Sequence, residues 1–156
     1  MTTVVRSHQI PVNVSRQFAF DYVSNITRHP EWSDGELKIE AITPGPIAVG
    51  KEYVSRGEAS IQKDRRNTVR ISQYEPPHLF GLIANDPGFG DISHVFTFSE
   101  QDGRVQIVRT MTVNLNPILA LLFRFIIYPL VGRPSMDKSM HALKARLEQL
   151  FPTATP

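Results

Sequence analysis

The chain has no cysteine, which excludes disulfides, thiolate nucleophiles and cysteine-held metals. The standard catalytic signatures are missing too: no Gly-x-Ser-x-Gly, no His-Glu-x-x-His and no P-loop. Gly88-Phe-Gly90 offers only two of the three glycines of a dinucleotide loop and lies between strands, so no cofactor is expected. The five histidines, His8, His29, His78, His94 and His141, show no metal-ligand spacing, and no metal is expected. Net charge is only +2 and is spread along the chain, which is no footprint for nucleic acid. Met1-Thr-Thr-Val-Val-Arg6 lacks the basic start and apolar core of a signal peptide. The longest apolar run, Ile118–Val131, spans 14 residues, includes Arg124 and is too short for a membrane span. A cytoplasmic protein is the expectation, with no internal repeat and no low-complexity segment.

What is present is organised around the last third. Asn116-Pro117 suits a helix N-cap and first helical position. The apolar run follows, with interruptions expected at Pro129 and at Gly132-Arg-Pro134 and a second helix start at Ser135. From there Met136, Met140, Leu143, Leu147 and Leu150 form one stripe, with Asp137, Lys138, His141, Lys144 and Glu148 opposite. So large an apolar face needs an apolar surface to lie on, and the preceding strands can supply one.

Those strands read in order. Val4–Val12 predicts a strand, and Ser15 caps a short helix with Phe18, Tyr22 and Val23 on one face. A second short helix is expected with Thr27 as its cap. Leu37–Ile42 alternates as a strand, and Glu52–Ile61 with Thr68–Tyr74 predicts a hairpin turning around Lys63-Asp64. Leu79–Ala84 is a short apolar strand. Ile92–Phe98 and Val105–Leu115 form the clearest hairpin, joined at 100–103. At 156 residues this is one domain, 1–151, with 152–156 a disordered tail.

The order resembles the helix-grip superfamily of START-related lipid-transfer proteins, polyketide cyclase/dehydratases and birch-pollen-allergen-like proteins. Phe18…Trp32, Val49-Gly50, Tyr74-Glu-Pro-Pro77 and Leu143-Lys-Ala-Arg-Leu-Glu148 carry the likeness, which is nearest to the bacterial polyketide cyclase/dehydratase-type members. The resemblance implies an α+β fold: a curved antiparallel sheet of about six or seven strands gripping a long C-terminal helix, with two short helices after the first strand. It implies an apolar cavity that takes a lipid, polyketide or similar hydrophobic small molecule. It supplies no universal catalytic residue.

The candidate site comes from strand alternation. Val105, Ile107, Met111, Val113 and Leu115 share a face with Arg109, and Ile92, Phe96 and Phe98 share one with His94. A four-residue turn pairing Ser99 with Arg104 sets His94 directly opposite Arg109. Such a pair could serve a cyclase or dehydratase, His94 as general acid/base and Arg109 stabilising an enolate. The structural alternative is an Arg109 that snorkels to the rim or pairs with Asp91. Trp32, Tyr53, Phe96, Ile107, Met111, Phe123, Met136 and Met140 are the expected cavity wall. Tyr53 and Tyr128 are candidate hydroxyl donors, although Val54/Arg56/Glu58 and Tyr53/Ser55 leave the inward face of that strand open. Lys63 and Arg65-Arg66 read as a solvated hairpin tip. Ile118–Val131 is expected to be core or cavity lid, with docking on a membrane or a protein partner as the alternative, and the protein to be a monomer or homodimer.

Overall fold

The computed structural model describes residues 1–35, 37–59 and 62–151; the expected tail, 152–156, lies outside them. Strand β1 (Thr2–Val12) leads into α1 (Arg16–Ser24) and a 3₁₀ helix (Ile26–Glu31). Six strands follow: β2 (Leu37–Ala41), β3 (Glu52–Ala59), β4 (Gln62–Glu75), β5 (Leu79–Asp86), β6 (Gly90–Gln101) and β7 (Arg104–Leu115). Together with β1 they make one seven-stranded sheet in the order β1-β7-β6-β5-β4-β3-β2, antiparallel at every pairing. The chain ends in α2 (Pro117–Leu122), a π-helical segment (Phe123–Gly132) and α3 (Arg133–Leu150). This is the expected α+β helix-grip architecture.

The caps follow the sequence with one exception. Ser15 Oγ accepts from Phe18 N at 3.2 Å, and Asn116 Oδ1 accepts from Leu119 N at 2.8 Å, each satisfying an otherwise orphaned helical N–H. Thr27 does not cap the 3₁₀ helix. Asn25 precedes that helix, and the Thr27 hydroxyl donates to Asn25 Oδ1 at 2.6 Å instead.

Both hairpins turn elsewhere than expected. β3 and β4 pair as far as Ala59–Gln62, so Lys63 and Asp64 fall within β4. β6 and β7 pair as far as Gln101–Arg104, leaving a two-residue turn with φ of 53° at Asp102 and 75° at Gly103. Asp-Gly suits a turn with both residues left-handed, the kind whose twist matches a hairpin. The expected register is therefore wrong by two residues: Ser99 faces Gln106, His94 faces Met111, and Arg109 faces Phe96. A shift of two leaves the inward face unchanged.

The C-terminal helix is unbroken from Pro117 to Leu150, 34 residues, against the expected breaks at Pro129 and Gly132–Pro134. Pro129 falls within the π segment. There i→i+5 bonding widens the turn, relieving the clash of a proline ring with the carbonyl four residues back. The same winding puts Phe123 and Tyr128, five residues apart, on one buried side. A Cβ at Gly132 would lie 2.8 Å from Tyr128 Cδ2, a separation that real Cβ atoms do not show. Gly132→Ala is therefore expected to cost about 1–3 kcal/mol by overpacking, read as a lowered urea midpoint. By length and composition the whole helix could cross a membrane, which the 14-residue run alone could not. Met140, Leu143 and Leu147, each 2% exposed or less, hold its second half on the sheet.

Two apolar clusters fill the space between sheet and helices. One gathers Ile10, Phe20, Phe96, Ile107, Met140 and Leu143 with their neighbours. The other gathers Val4, Met111, Val113, Phe123, Tyr128 and Met136. Between them each element contributes polar side chains: Arg6 and His8 on β1, His94 on β6, Arg109 on β7, and Asp137 and Ser139 on α3.

Candidate functional site in the polar belt

Arg109 is at the centre of this belt. Its Nε donates to His94 Nδ1 at 3.3 Å, and its Nη1 donates to Ser139 Oγ at 3.2 Å. His94 is thus diagonal to Arg109 across the hairpin rather than opposite, and the long arginine side chain spans the offset. The guanidinium also lies 5.4 Å from the Phe96 ring and 5.8 Å from the Trp32 ring. Among the described residues no carboxylate lies within salt-bridge distance of it; Asp91 hydrogen-bonds Asn85 instead. Ring contacts contribute on the order of 1 kcal/mol each, against several kcal/mol for withdrawing a charge from water. Burial draws the Arg109 pKa down to about 10, which leaves it cationic at neutral pH. The site therefore holds a positive charge that the described residues do not neutralise.

Two histidines flank this charge, and both are kept neutral. Burial first, then Arg109 and His29, hold His94 well below the usual imidazole range. Because His94 Nδ1 accepts from Arg109, its proton is assigned to Nε2, which makes it a donor. His29, on the 3₁₀ helix, is set the other way. Its Nε2 lies 2.7 Å from the Val23 carbonyl and must donate to it, so Nδ1 carries the lone pair. Burial pushes His29 down to about 4, and the nearby Arg109 adds to the shift. Neither imidazole is protonated at neutral pH, and the neutral state of His94 is the one expected beside Arg109. Trp32, tilted 55° against His29 with ring centroids 4.7 Å apart, has a buried indole N–H with no partner among the described residues.

A cavity of about 90 Å³ opens beside these groups. Its polar wall is Arg109, His94, His29 and Ser55, and its apolar wall includes Phe96, Leu82 and Ile39. Arg109 and His94 are half-buried, and both contribute to this wall. The roof is the 3₁₀ helix. That element is pinned by Glu31, which accepts from the Tyr22 hydroxyl at 2.7 Å and from Arg146 at 3.1 Å on α3.

Of the expected wall, Phe96 alone lines this cavity. Trp32 and Tyr53 are in the adjoining core with Ile107 and Met140. Met111, Phe123 and Met136 belong to the other cluster, beyond the polar belt. β3 turns Tyr53 and Ser55 inward, 2% and 7% exposed, which settles its face. Tyr128 is no cavity donor: its hydroxyl bonds His8 Nε2, while His8 Nδ1 bonds Asp137 Oδ1 at 2.7 Å, strapping the helix to β1. Sequence reasoning missed His29, Ser55 and Ser139. Only the position of His29 beside Trp32 gave any signal of it.

No curated protein matches the chain. Among solved structures, a norcoclaurine synthase point mutant from Thalictrum, in complex with a transition-state analogue, matches with a TM-score of 0.72 at 15% identity, over 96% of each chain. A Thermus thermophilus protein matches at 0.71 and 13%, over 96% of this chain and 99% of that one. The di-domain ARO/CYC protein BexL matches at 0.71 and 12%, over 98% of this chain and 51% of its own; the chain spans about half of that two-domain protein. At such identities the likeness is one of fold. The family model described as polyketide cyclase/dehydrase and lipid transport matches residues 1–148, and the chain belongs to that family.

Proposed function

We propose that the protein binds an amphipathic small molecule whose anionic or enolisable end sits against Arg109, with its apolar body directed into the core. The observation that carries this is the Arg109 guanidinium at the cavity wall with no carboxylate partner among the described residues. An oxygen anion there would gain a charge-assisted bond, together with the His94 Nε2–H. About 90 Å³ suits one ring or a polar head rather than a whole ligand, since ordinary ligand sites run to roughly 300–1,000 Å³. Met140, in the same core cluster as the cavity-lining Phe96, is a side chain able to give way for the rest.

A second function is supported by the His29 lone pair. A base at Nδ1 and a fixed cation at Arg109 are the components for removing a proton α to a carbonyl and stabilising the resulting enolate. The enolate carbon would attack a second carbonyl within the same molecule, forming a C–C bond, and the His29 imidazolium would return its proton to the new alkoxide. The same base would then take the remaining α-proton and pass it to the departing hydroxyl, which leaves as water as the C=C bond forms. Native mass spectrometry after incubation with an aromatic β-polyketone separates the two. A bound mass equal to the added compound supports binding. A bound or released mass smaller by one water supports cyclisation with dehydration. No bound mass, with no shift in melting temperature by fatty acids or polyketones, overturns both.

A further inference from the structure

The helix that grips the sheet leaves one side uncovered. From Pro117 to Val131 every exposed position is apolar or proline save Arg124. Ile118, Leu121, Phe125 and Leu130 are 83%, 62%, 65% and 73% exposed, and Leu122, Ile126 and Val131 are also open. The expected core or lid is therefore only half right: Ala120, Phe123 and Tyr128 are buried, and the opposite side faces outward. Soluble monomers rarely show so continuous an apolar face.

We infer that this face docks on an anionic lipid surface, with the helix lying in the interface rather than across it. Three observations choose that occupant. First, charge: between Asp102 and Asp137 the chain has four arginines and no acidic residue; of these Arg124 lies on the face without an ion-pair partner among the described residues, and Arg133 lies beside it, 3.9 Å from Asp137. That is the complement of acidic headgroups, and arginine can extend to them while its neighbours sink. Second, a second copy fits badly. A two-fold contact through this face would bring Arg124 toward its own equivalent, and the face has no carboxylate to separate them. Third, the exposed positions offer no hydroxyl or amide, whereas a protein interface has a hydrogen-bonding polar rim. Acyl chains need none. The burial of Phe123 and Tyr128 and the strap from Tyr128 through His8 to Asp137 keep the helix on the sheet while it lies on the membrane.

The test is sedimentation with vesicles of phosphatidylcholine alone and of phosphatidylcholine with phosphatidylglycerol, using the full chain. Wild type is expected to sediment with the mixed vesicles and less so with the neutral ones, and to be released by salt. Leu121→Gln with Phe125→Gln should lower the partition at least tenfold on both. Arg124→Gln should lower it several-fold on the mixed vesicles only. These side chains are exposed, so unchanged thermal melts will show the variants folded. No sedimentation at micromolar protein overturns the inference, as does sedimentation that the double substitution leaves unchanged. A dimer in analytical ultracentrifugation that Phe125→Gln splits, with no vesicle binding, assigns the face to a second copy instead.

Discussion

Arg109→Met is expected to leave the protein folded and at least as stable, and to weaken a fatty acid about 10- to 100-fold while leaving the matching alcohol unchanged. The affinity change follows from the energy of a hydrogen bond to a charged group, about 1.5–3 kcal/mol. The stability change follows from the absence, among the described residues, of an internal counter-ion. Removing one partner of a buried ion pair strands the other charge, but among the described residues no carboxylate within salt-bridge distance is left stranded here. Methionine fills much of the volume of the arginine stem between Phe96 and Trp32, and it retains a contact with their rings. The polar partners left behind are modest. Ser139 still donates to the Met136 carbonyl at 2.9 Å, and His94 remains on the cavity wall. Isothermal titration with acid and alcohol, beside thermal melts, measures both effects. Equal weakening of acid and alcohol would show that the substitution damaged the cavity rather than removed an anion site, and the proposed function would lose its basis.

What could be read in advance divides along physical lines. Element order and facing were legible because both depend on local periodicity. The stripe Met140–Leu143–Leu147 and the alternation Ile107–Arg109–Met111 survive any small error in register. Register depends on turn length, which alternation along the strands does not specify; Asp102-Gly103 is the pair that a two-residue hairpin turn favours. Arg109 and His94 still meet, because an even shift keeps both inward and the arginine stem covers the offset. The cavity wall was hardly legible at all. Its residues come from the 3₁₀ helix and from six strands, β2 to β7. No window along the chain unites them. His29 shows this most clearly: the Val23 carbonyl fixes its tautomer and the fold brings Arg109 near it, and neither contact leaves a trace in composition. The π segment was hidden for a different reason. Pro129 and Gly132 are breakers by propensity, and only the packing of Tyr128 against Gly132 shows why the helix continues through them.

The same belt makes the protein sensitive to acid in a particular window. His29 is held at about 4 in the folded state, against about 6.5 when unfolded. Below pH 6.5 the unfolded chain takes up a proton that the folded chain refuses, so stability falls as the pH drops from 6.5 toward 4. For His29 alone the loss is about 3 kcal/mol by pH 4, and His94 acts in the same direction. The groups facing them bear on the sign. Arg109 opposes protonation of both histidines, and among the described residues no carboxylate faces them to favour it. Glu31, Asp34 and Glu148 are held below their usual range by hydrogen bonds to Tyr22, Lys138 and Lys144 respectively. Their contribution is present at neutral pH and is lost only as they protonate below the ordinary carboxylate range, a window lower than that of the histidines. Urea midpoints at pH 7, 5.5 and 4.5 will therefore report mainly on the imidazoles. His29→Gln can still donate to Val23 and should flatten the dependence between pH 6.5 and 4.5. A bound fatty acid, its carboxylate neutralising Arg109, should flatten it as well, by making protonation of the neighbouring rings less costly. A profile that is the same in wild type and His29→Gln would mean that His29 is not the neutral, buried base on which the enolate chemistry depends.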